Sequence, residues 1–441
     1  MSSANIPLES RLLDLFAHLG IERAHIAARG PNDWSGLVRH HPEAVSSLTL
    51  ICPNGVASDS LRNVEPRTLI LSGDRGVSFD SLPLDNLPDA QVGLLPDYET
   101  LGWTDVMADR TDEISSRMIA FLEGPSPSPS QTMAPPDESE GEIAGLTYCV
   151  RGSGPPLVLL PLFLAPSQWE PLISILTERF STITLGGPLL GPVVMLEARG
   201  KTRGYREMLS ALLDETGLEP GDTVLEVGCG SGAVMRWLAE KTKGAIHIDG
   251  VDINAYLLRE GKALARKAGC DEVITTREGS ALSLPYPDNH FDVTYSVTVI
   301  EELDANVMIA EMMRVTKPGG QVGVICRALD LRWVMNAPVE PELRAKLEVE
   351  GIGGVDKLGC ADASLYRRFR EAGLNDIAAF PHLTPFTVTD TGILDFVEGG
   401  RLDAVTSEEA EAWRAARVKA EEDGSFFIAW PHHCAVGKKP E

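Results

Sequence analysis

Residues 223–234 read T-V-L-E-V-G-C-G-S-G-A-V. An apolar strand carrying one carboxylate, Glu226, runs directly into Gly228, Gly230 and Gly232. Glycines so placed let the backbone turn sharply and approach a ligand, and a helix that opens there leaves N–H groups unpaired and aimed at it. Such a stretch confines the chain to a strand, turn and helix of an α/β domain with a nucleotide-type cofactor at the turn.

The glycine pattern leaves the cofactor open, because Gly228, Gly230 and Ala233 also satisfy the G-x-G-x-x-G/A dinucleotide fingerprint. Residues 246–251 form a second apolar strand ending at Asp252, about 20 residues beyond the turn, where an acid for a ribose is expected in either case. Further on stand Leu284-Pro285-Tyr286-Pro287-Asp288, then Phe291-Asp292 opening a strand, and Lys317-Pro318-Gly319-Gly320 before another.

In these features, taken in order, the sequence resembles the class I S-adenosylmethionine-dependent methyltransferases of the small-molecule, ubiquinone-biosynthesis-like type. The resemblance covers residues 195–441 and implies a Rossmann-like α/β domain with a mostly parallel seven-stranded sheet whose last strand is antiparallel. F-F-I-A-W-P-H-H-C-A-V-G-K-K-P resembles that final strand. The family's pattern places the amino-acid end of S-adenosylmethionine on the turn of Gly228, Cys229, Gly230 and Gly232, with Glu226 orienting the turn near the cationic end. It assigns the ribose to Asp252, whose two oxygens can each accept a hydrogen bond, the adenine to Ile253, and further contacts to Ser280, Ala281 and Ser296. Many members carry Asp-Ala after the third strand. Gly279-Ser280-Ala281 stands here, so a hydroxyl replaces the carboxylate that would receive the adenine amino group.

Methyl transfer is a direct displacement, so alignment of nucleophile, methyl and sulfur supplies most of the rate. A general base is required only where the acceptor loses a proton. His382, His432 and His433 are the candidates because imidazole titrates near neutrality; a histidine bonded within the closing hairpin is the plainer reading of each. Glu301 and Glu302 follow the strand over residues 293–299, where the family's acceptor pocket begins, and a solvated helix start explains them equally. Lys317-Pro318-Gly319-Gly320 reads as a turn without a catalytic role. The seven cysteines stand singly, with no metal-ligand spacing, and are expected as free buried thiols.

The N-terminal part has a different character. Residues 9–52 run helix, strand, helix, strand, with further strands over 68–71 and 91–95 and a closing helix over 109–122, the alternation of a parallel α/β layer. L-F-A-H-L-G-I-E-R-A-H, P-R-T-L-I-L-S-G-D and L-L-P-D-Y-E-T-L-G-W resemble the second half of an α/β-hydrolase. The catalytic residues are missing. Gly30 stands at the nucleophile position, Gly76 at that of the acid and Thr100 at that of the histidine, leaving Asp74 and Glu99 as solvated loop residues. Nucleophile, base and orienting group are all needed for such chemistry. After a Pro/Ser-rich stretch, 125–142, that reads as a linker, residues 143–194 resemble the first half of the same fold, without its His-Gly loop. First half after second half predicts one degenerate domain in circularly permuted order, divided as 1–124 and 143–194. Strand pairing between the two segments tests that.

At 441 residues the chain exceeds one ordinary core. Its formal net charge of −25 disfavours nucleic acid and anionic membrane surfaces as partners and favours a small molecule. The N-terminus lacks the basic and apolar regions of a secretion signal, and no run of 18 apolar residues occurs, so a cytoplasmic protein is expected. The reading that follows is a small-molecule methyltransferase fused to a non-catalytic domain that scaffolds, pairs two copies as a homodimer, or covers the substrate entrance. The alternatives are a cofactor-binding structural protein and an NAD(P)-dependent oxidoreductase.

Overall fold

The computed structural model describes residues 7–53, 67–80, 82, 90–100, 105–124, 139–162, 164–187, 190, 192–349, 355–390, 393–394, 401–402 and 405–441. The chain divides into two units, Met1–Val194 and Met195–Glu441.

The first unit contains β1 (Ala24–Ala28), β2 (Val45–Ile51), β3 (Arg67–Gly76), β4 (Gln91–Thr100), β5 (Glu140–Ile143), β6 (Leu146–Arg151), β7 (Pro156–Leu159) and β8 (Ser181–Gly186). They make one sheet in the order β4-β3-β2-β1-β7-β8-β6-β5. The joint is β1 against β7, parallel, with Ile26 opposite Val158, so strands from before and after residues 125–138 share a single sheet. β6 alone reverses against β8, and β5 closes a hairpin onto it. Neighbouring β1 residues face opposite layers, as the pleat requires. Ile26 packs with Leu12, Leu15 and Phe16 of helix Leu8–Leu19, and Ala27 with Ile114 and Leu172 of helices Thr111–Leu122 and Glu170–Leu176. Burial on both faces explains the unbroken apolar run of β1.

Two boundaries differ from the sequence reading. The linker was expected to reach residue 142, but Glu140–Ile143 is a strand: its acidic residues alternate outward while Ile143 pairs with Leu146. Residues 125–138 lie outside the described residues. The closing helix, expected over 109–122, is Thr111–Leu122, with a separate short helix, Val106–Asp109, before it.

The positions that the resemblance assigned to hydrolase catalysis have other roles here. Gly76 has φ 89°, and a Cβ there would stand 2.5 Å from the carbonyl oxygen of Thr100, its register partner on β4. No acid fits at that position. Asp74 instead accepts the backbone N–H groups of Asp97 and Tyr98 at 2.7 and 3.1 Å, fixing the bend of β4.

The second unit contains β9 (Thr223–Val227), β10 (His247–Asp252), β11 (Ile274–Glu278), β12 (Phe291–Val297), β13 (Thr316–Arg327), β14 (Val334–Met335), β15 (Asn375–Thr387) and β16 (Phe427–Lys438). The order is β11-β10-β9-β12-β13-β16-β14, with β15 also on β16. β9 to β13 are parallel, whereas β16 runs antiparallel to β13 and to β15. The antiparallel closing strand matches the expectation and departs from the dinucleotide fold, whose sixth strand continues the parallel set. The sheet has eight strands rather than the expected seven, because the short β14 also pairs with β16. Strand order reverses between β9 and β12. A crevice at the carboxyl ends of these strands is where open α/β sheets bind ligands.

Residues 195–217, expected as one connecting helix, form two: Pro192–Lys201 and Arg203–Glu215. The break falls at Thr202, whose hydroxyl accepts the N–H of Tyr205 at 3.4 Å as the N-cap of the second helix. That helix buries Tyr205, Met208, Leu209 and Leu212 against Val224, Tyr295 and Val436.

Candidate functional site

β9 ends where the apolar run ends, and the chain then turns through three glycines with positive φ: Gly228 at 75°, Gly230 at 51° and Gly232 at 73°. Side-chain-bearing residues rarely hold this conformation. At Gly228 space forbids one as well, since a Cβ would lie 2.3 Å from Cγ2 of Val299. The N–H groups of Gly228 and Cys229 both donate to the Val251 carbonyl, and Gly230 donates to Oδ2 of Asp252 at 2.8 Å. Oδ1 of Asp252 accepts the N–H of Asn254 at 2.9 Å, and the Asn254 side chain caps helix Ala255–Ala268. The ends of β9 and β10 are thereby locked together, with the helix Ala233–Lys241 opening from the turn.

Beneath the turn lies Glu226, 2% exposed. Burial pushes its carboxyl up to about 8, opposed by the hydrogen bond that Tyr295 Oη donates at 3.0 Å and reinforced by the nearby Asp252. Above it, Leu196, Arg199, Tyr205 and the turn enclose a cavity of about 50 Å³ that Glu226 also lines. Arg199 lies with its guanidinium 4.8 Å from the Tyr205 ring. Its buried Nε has no hydrogen-bond partner among the described residues, and its charge acts on Glu226, opposing the rise that burial imposes on that carboxyl. Its neighbour Glu197 differs, binding Ser231 Oγ at 2.7 Å and Arg236 at 2.5 Å.

Residues 224–320 match the protein family described as "Methyltransferase domain". They form a class I S-adenosylmethionine-dependent methyltransferase domain.

Similar proteins include the sterol 24-C-methyltransferase ERG6B of Gibberella zeae, 31% identical over 160 residues, covering 35% of this chain and 40% of that protein. Cycloartenol-C-24-methyltransferase of Arabidopsis thaliana is 30% identical over 138 residues, covering 31% and 39%. The chain thus spans about two fifths of the curated relatives' length. Among solved structures, geranyl diphosphate C-methyltransferase from Streptomyces coelicolor A3(2), in complex with Mg2+, geranyl diphosphate and S-adenosyl-L-homocysteine, aligns at TM-score 0.33 and 18% identity over 58% of this chain and 86% of that one.

The residues around the turn suit S-adenosylmethionine chemically. Asp252 offers acceptors for a ribose. Ile253, 65% exposed immediately after it, is an apolar surface with no protein over it. Arg199 adds a cation with an unpartnered Nε, matched to a carboxylate. Ser280 is half-buried and its Oγ accepts the N–H of Leu282 at 3.1 Å, leaving an acceptor lone pair beside the half-buried Ala281. Ser296 is different from its expected role. It is fully buried on β12 and its hydroxyl donates to the Val227 carbonyl at 2.7 Å, tying two strands together.

The histidines separate. His433 is held by Asp330, Nε2 to Oδ1 at 2.7 Å, and His382 faces His432 across the β15/β16 register. Burial lowers the His382 pKa. His432 is fully buried, and burial, reinforced by Arg199, drives it down to about 3. Glu301 and Glu302 also part: Glu301 is 0% exposed, whereas Glu302 is exposed. Cys149 and Cys270 are half-buried rather than buried, and all seven thiols are free. Sequence reasoning missed Arg199 and Tyr205 as site residues, because their value lies in what does and does not stand beside them. A wider groove of about 610 Å³, lined by Trp237, Lys243 and Cys270 among others, contains none of the expected cofactor residues.

Proposed function

We propose that this protein transfers the methyl group of S-adenosylmethionine to a small-molecule acceptor by direct displacement. The observation that carries the reading is the set of Gly230, Asp252 and Arg199, whose Nε has no hydrogen-bond partner, around one turn at the crevice of the sheet. Backbone of the turn and Arg199 would hold the amino-acid end, Asp252 and Ile253 the ribose and adenine, and Glu226 the cationic side. Bound there, the cofactor supplies an electrophilic methyl group; the chain's part is to orient it and exclude water. Relatives named for sterols and cycloartenol support a small-molecule acceptor.

Transfer of label from methyl-labelled cofactor to an acceptor in a panel of sterols, phenols and amines, abolished by Asp252→Ala, is the test. Cofactor binding with no transfer to any class would leave a binding protein instead.

The first unit, in this reading, is a circularly permuted hydrolase-like scaffold without hydrolytic activity. The parallel pairing of β1 with β7 and the packing of Gly76 on Thr100 support it. Absence of turnover with 4-nitrophenyl esters is the expected result; hydrolysis would sink the reading.

A further inference from the structure

Three polar atoms on fully buried side chains at the crevice have no hydrogen-bond partner: Tyr205 Oη, Glu301 Oε2 and His432 Nε2. They come from three separate elements, yet the contacts join them. Glu301 follows β12, and its Oε1 accepts the backbone N–H of Arg327, the last residue of β13, at 2.6 Å. Arg327 is the register partner of His432 on β16, so both side chains lie on one face of the sheet. Thr384 contacts His432 Nδ1 at 3.1 Å and Met208 Sδ at 3.2 Å, one turn along the helix from Tyr205. Tyr205 in turn feels the charges of Glu226 and Glu301.

Chemistry distinguishes the three. His432 Nδ1 lies 3.1 Å from the Trp430 carbonyl, which can only accept, so Nδ1 carries the hydrogen and Nε2 presents a lone pair. Tyr205 presents a donor. A hydroxyl, which both donates and accepts, satisfies this pair; a bare alkene satisfies neither. Beside them Trp430 stands 5.1 Å from the His432 ring and stacks on Trp333 at 5.2 Å, an aromatic wall for an apolar body.

We propose that Tyr205, His432 and Glu301 form the acceptor end of the site, binding an apolar small molecule through an acidic hydroxyl of phenol or enol type, with Glu301 as the general base. This rests on the methyl-transfer reading. The acceptor oxygen forms a bond to the methyl carbon as the carbon–sulfur bond breaks with its electron pair to sulfur. The hydroxyl proton passes to Glu301 Oε2, leaving a methyl ether and the neutral thioether. Burial raises Glu301 to about 7, where a base is matched to neutral pH. The charged and titratable groups facing it are Arg327 from β13, Glu302 from its own turn, Cys326 and Tyr205.

The test uses the full-length protein and 4-nitrophenol, whose visible band reports its ionisation, titrated in the presence of S-adenosylhomocysteine below the phenol's own pKa. The wild type should bind it and develop the phenolate band. Glu301→Gln keeps an oxygen for the Arg327 N–H, and should bind with comparable affinity while losing the band at least tenfold. Tyr205→Phe should weaken binding about tenfold with the band retained. Unchanged melting temperatures show that each variant is folded. An identical band in Glu301→Gln overturns the base assignment. Calorimetric binding of S-adenosylhomocysteine without binding of the phenol overturns the acceptor class and leaves methyl transfer standing, whereas failure of S-adenosylhomocysteine to bind removes the reading beneath both.

Discussion

Gly230 donates its backbone N–H to Oδ2 of Asp252 at 2.8 Å, so the glycine turn after β9 and the acid at the end of β10 hold each other in place. The acid assigned to the ribose is also the clasp of the loop. Asp252→Asn keeps one acceptor oxygen, so its cofactor affinity should fall about tenfold, with a stability loss of about 1–2 kcal/mol. Calorimetry and urea unfolding measure the two effects separately.

Gly228 is excluded from bearing a side chain by space as well as by backbone angle. Gly228→Ala would place Cβ 2.3 Å from Val299 Cγ2, and should cost about 2–4 kcal/mol. Gly221 has φ 96° with no atom within 4 Å of an added Cβ. Gly221→Ala should cost only the backbone term, about 1–2 kcal/mol. Equal losses in denaturant titration would contradict the packing argument.

The buried Glu226 makes stability depend on pH. Its folded value, about 8, lies above the ordinary 4.5. Its stabilising contribution is therefore complete below about pH 4.5 and is lost as pH rises through about 8. Glu301, raised to about 7, acts in the same direction, while His432, depressed to about 3 from 6.5, loses its contribution as pH falls from 6.5 toward 3. Glu226→Gln should flatten the alkaline limb and exceed the wild type by about 1–3 kcal/mol at about pH 9. Urea unfolding at acid, neutral and alkaline pH reads this directly.

Arg199 tests whether a cation with an unpartnered Nε marks the cofactor's carboxylate. Arg199→Gln removes a guanidinium whose Nε has no hydrogen-bond partner but whose charge acts on the buried Glu226, so the Glu226 pKa should rise further while cofactor affinity falls about tenfold, a loss of about 1.4 kcal/mol. A variant that binds normally would move the carboxylate elsewhere on the turn.

What the sequence revealed depends on the range of the interaction. The glycine turn and Asp252 are written in local pattern, because backbone angle and alternation are properties of neighbouring residues, whereas the antiparallel course of β16 was anticipated only through the family resemblance. The order of β1 and β7 was anticipated only through two fragmentary resemblances. Glu301 could not be told from Glu302, since burial is decided by Arg327, distant in the chain. Ser296 looked like a contact until its hydroxyl was found spent on Val227. Arg199 and Tyr205 gave no signal at all: an absent partner leaves no mark in a sequence.

The seam between β1 and β7 makes a further demand. A protease site introduced within 125–138 and cleaved should leave the two pieces associated through the parallel pairing of Ile26 with Val158. Size-exclusion chromatography after cleavage should show one species under native conditions. Separation of the pieces would contradict a single permuted layer.

Calorimetric titration with S-adenosylmethionine, its demethylated product and NAD, repeated on Asp252→Ala, addresses the central claim most directly. The account predicts binding of the first two on the order of micromolar, loss of at least about 100-fold in the variant, and no binding of NAD. NAD binding alone, or equal affinity in Asp252→Ala, would contradict it.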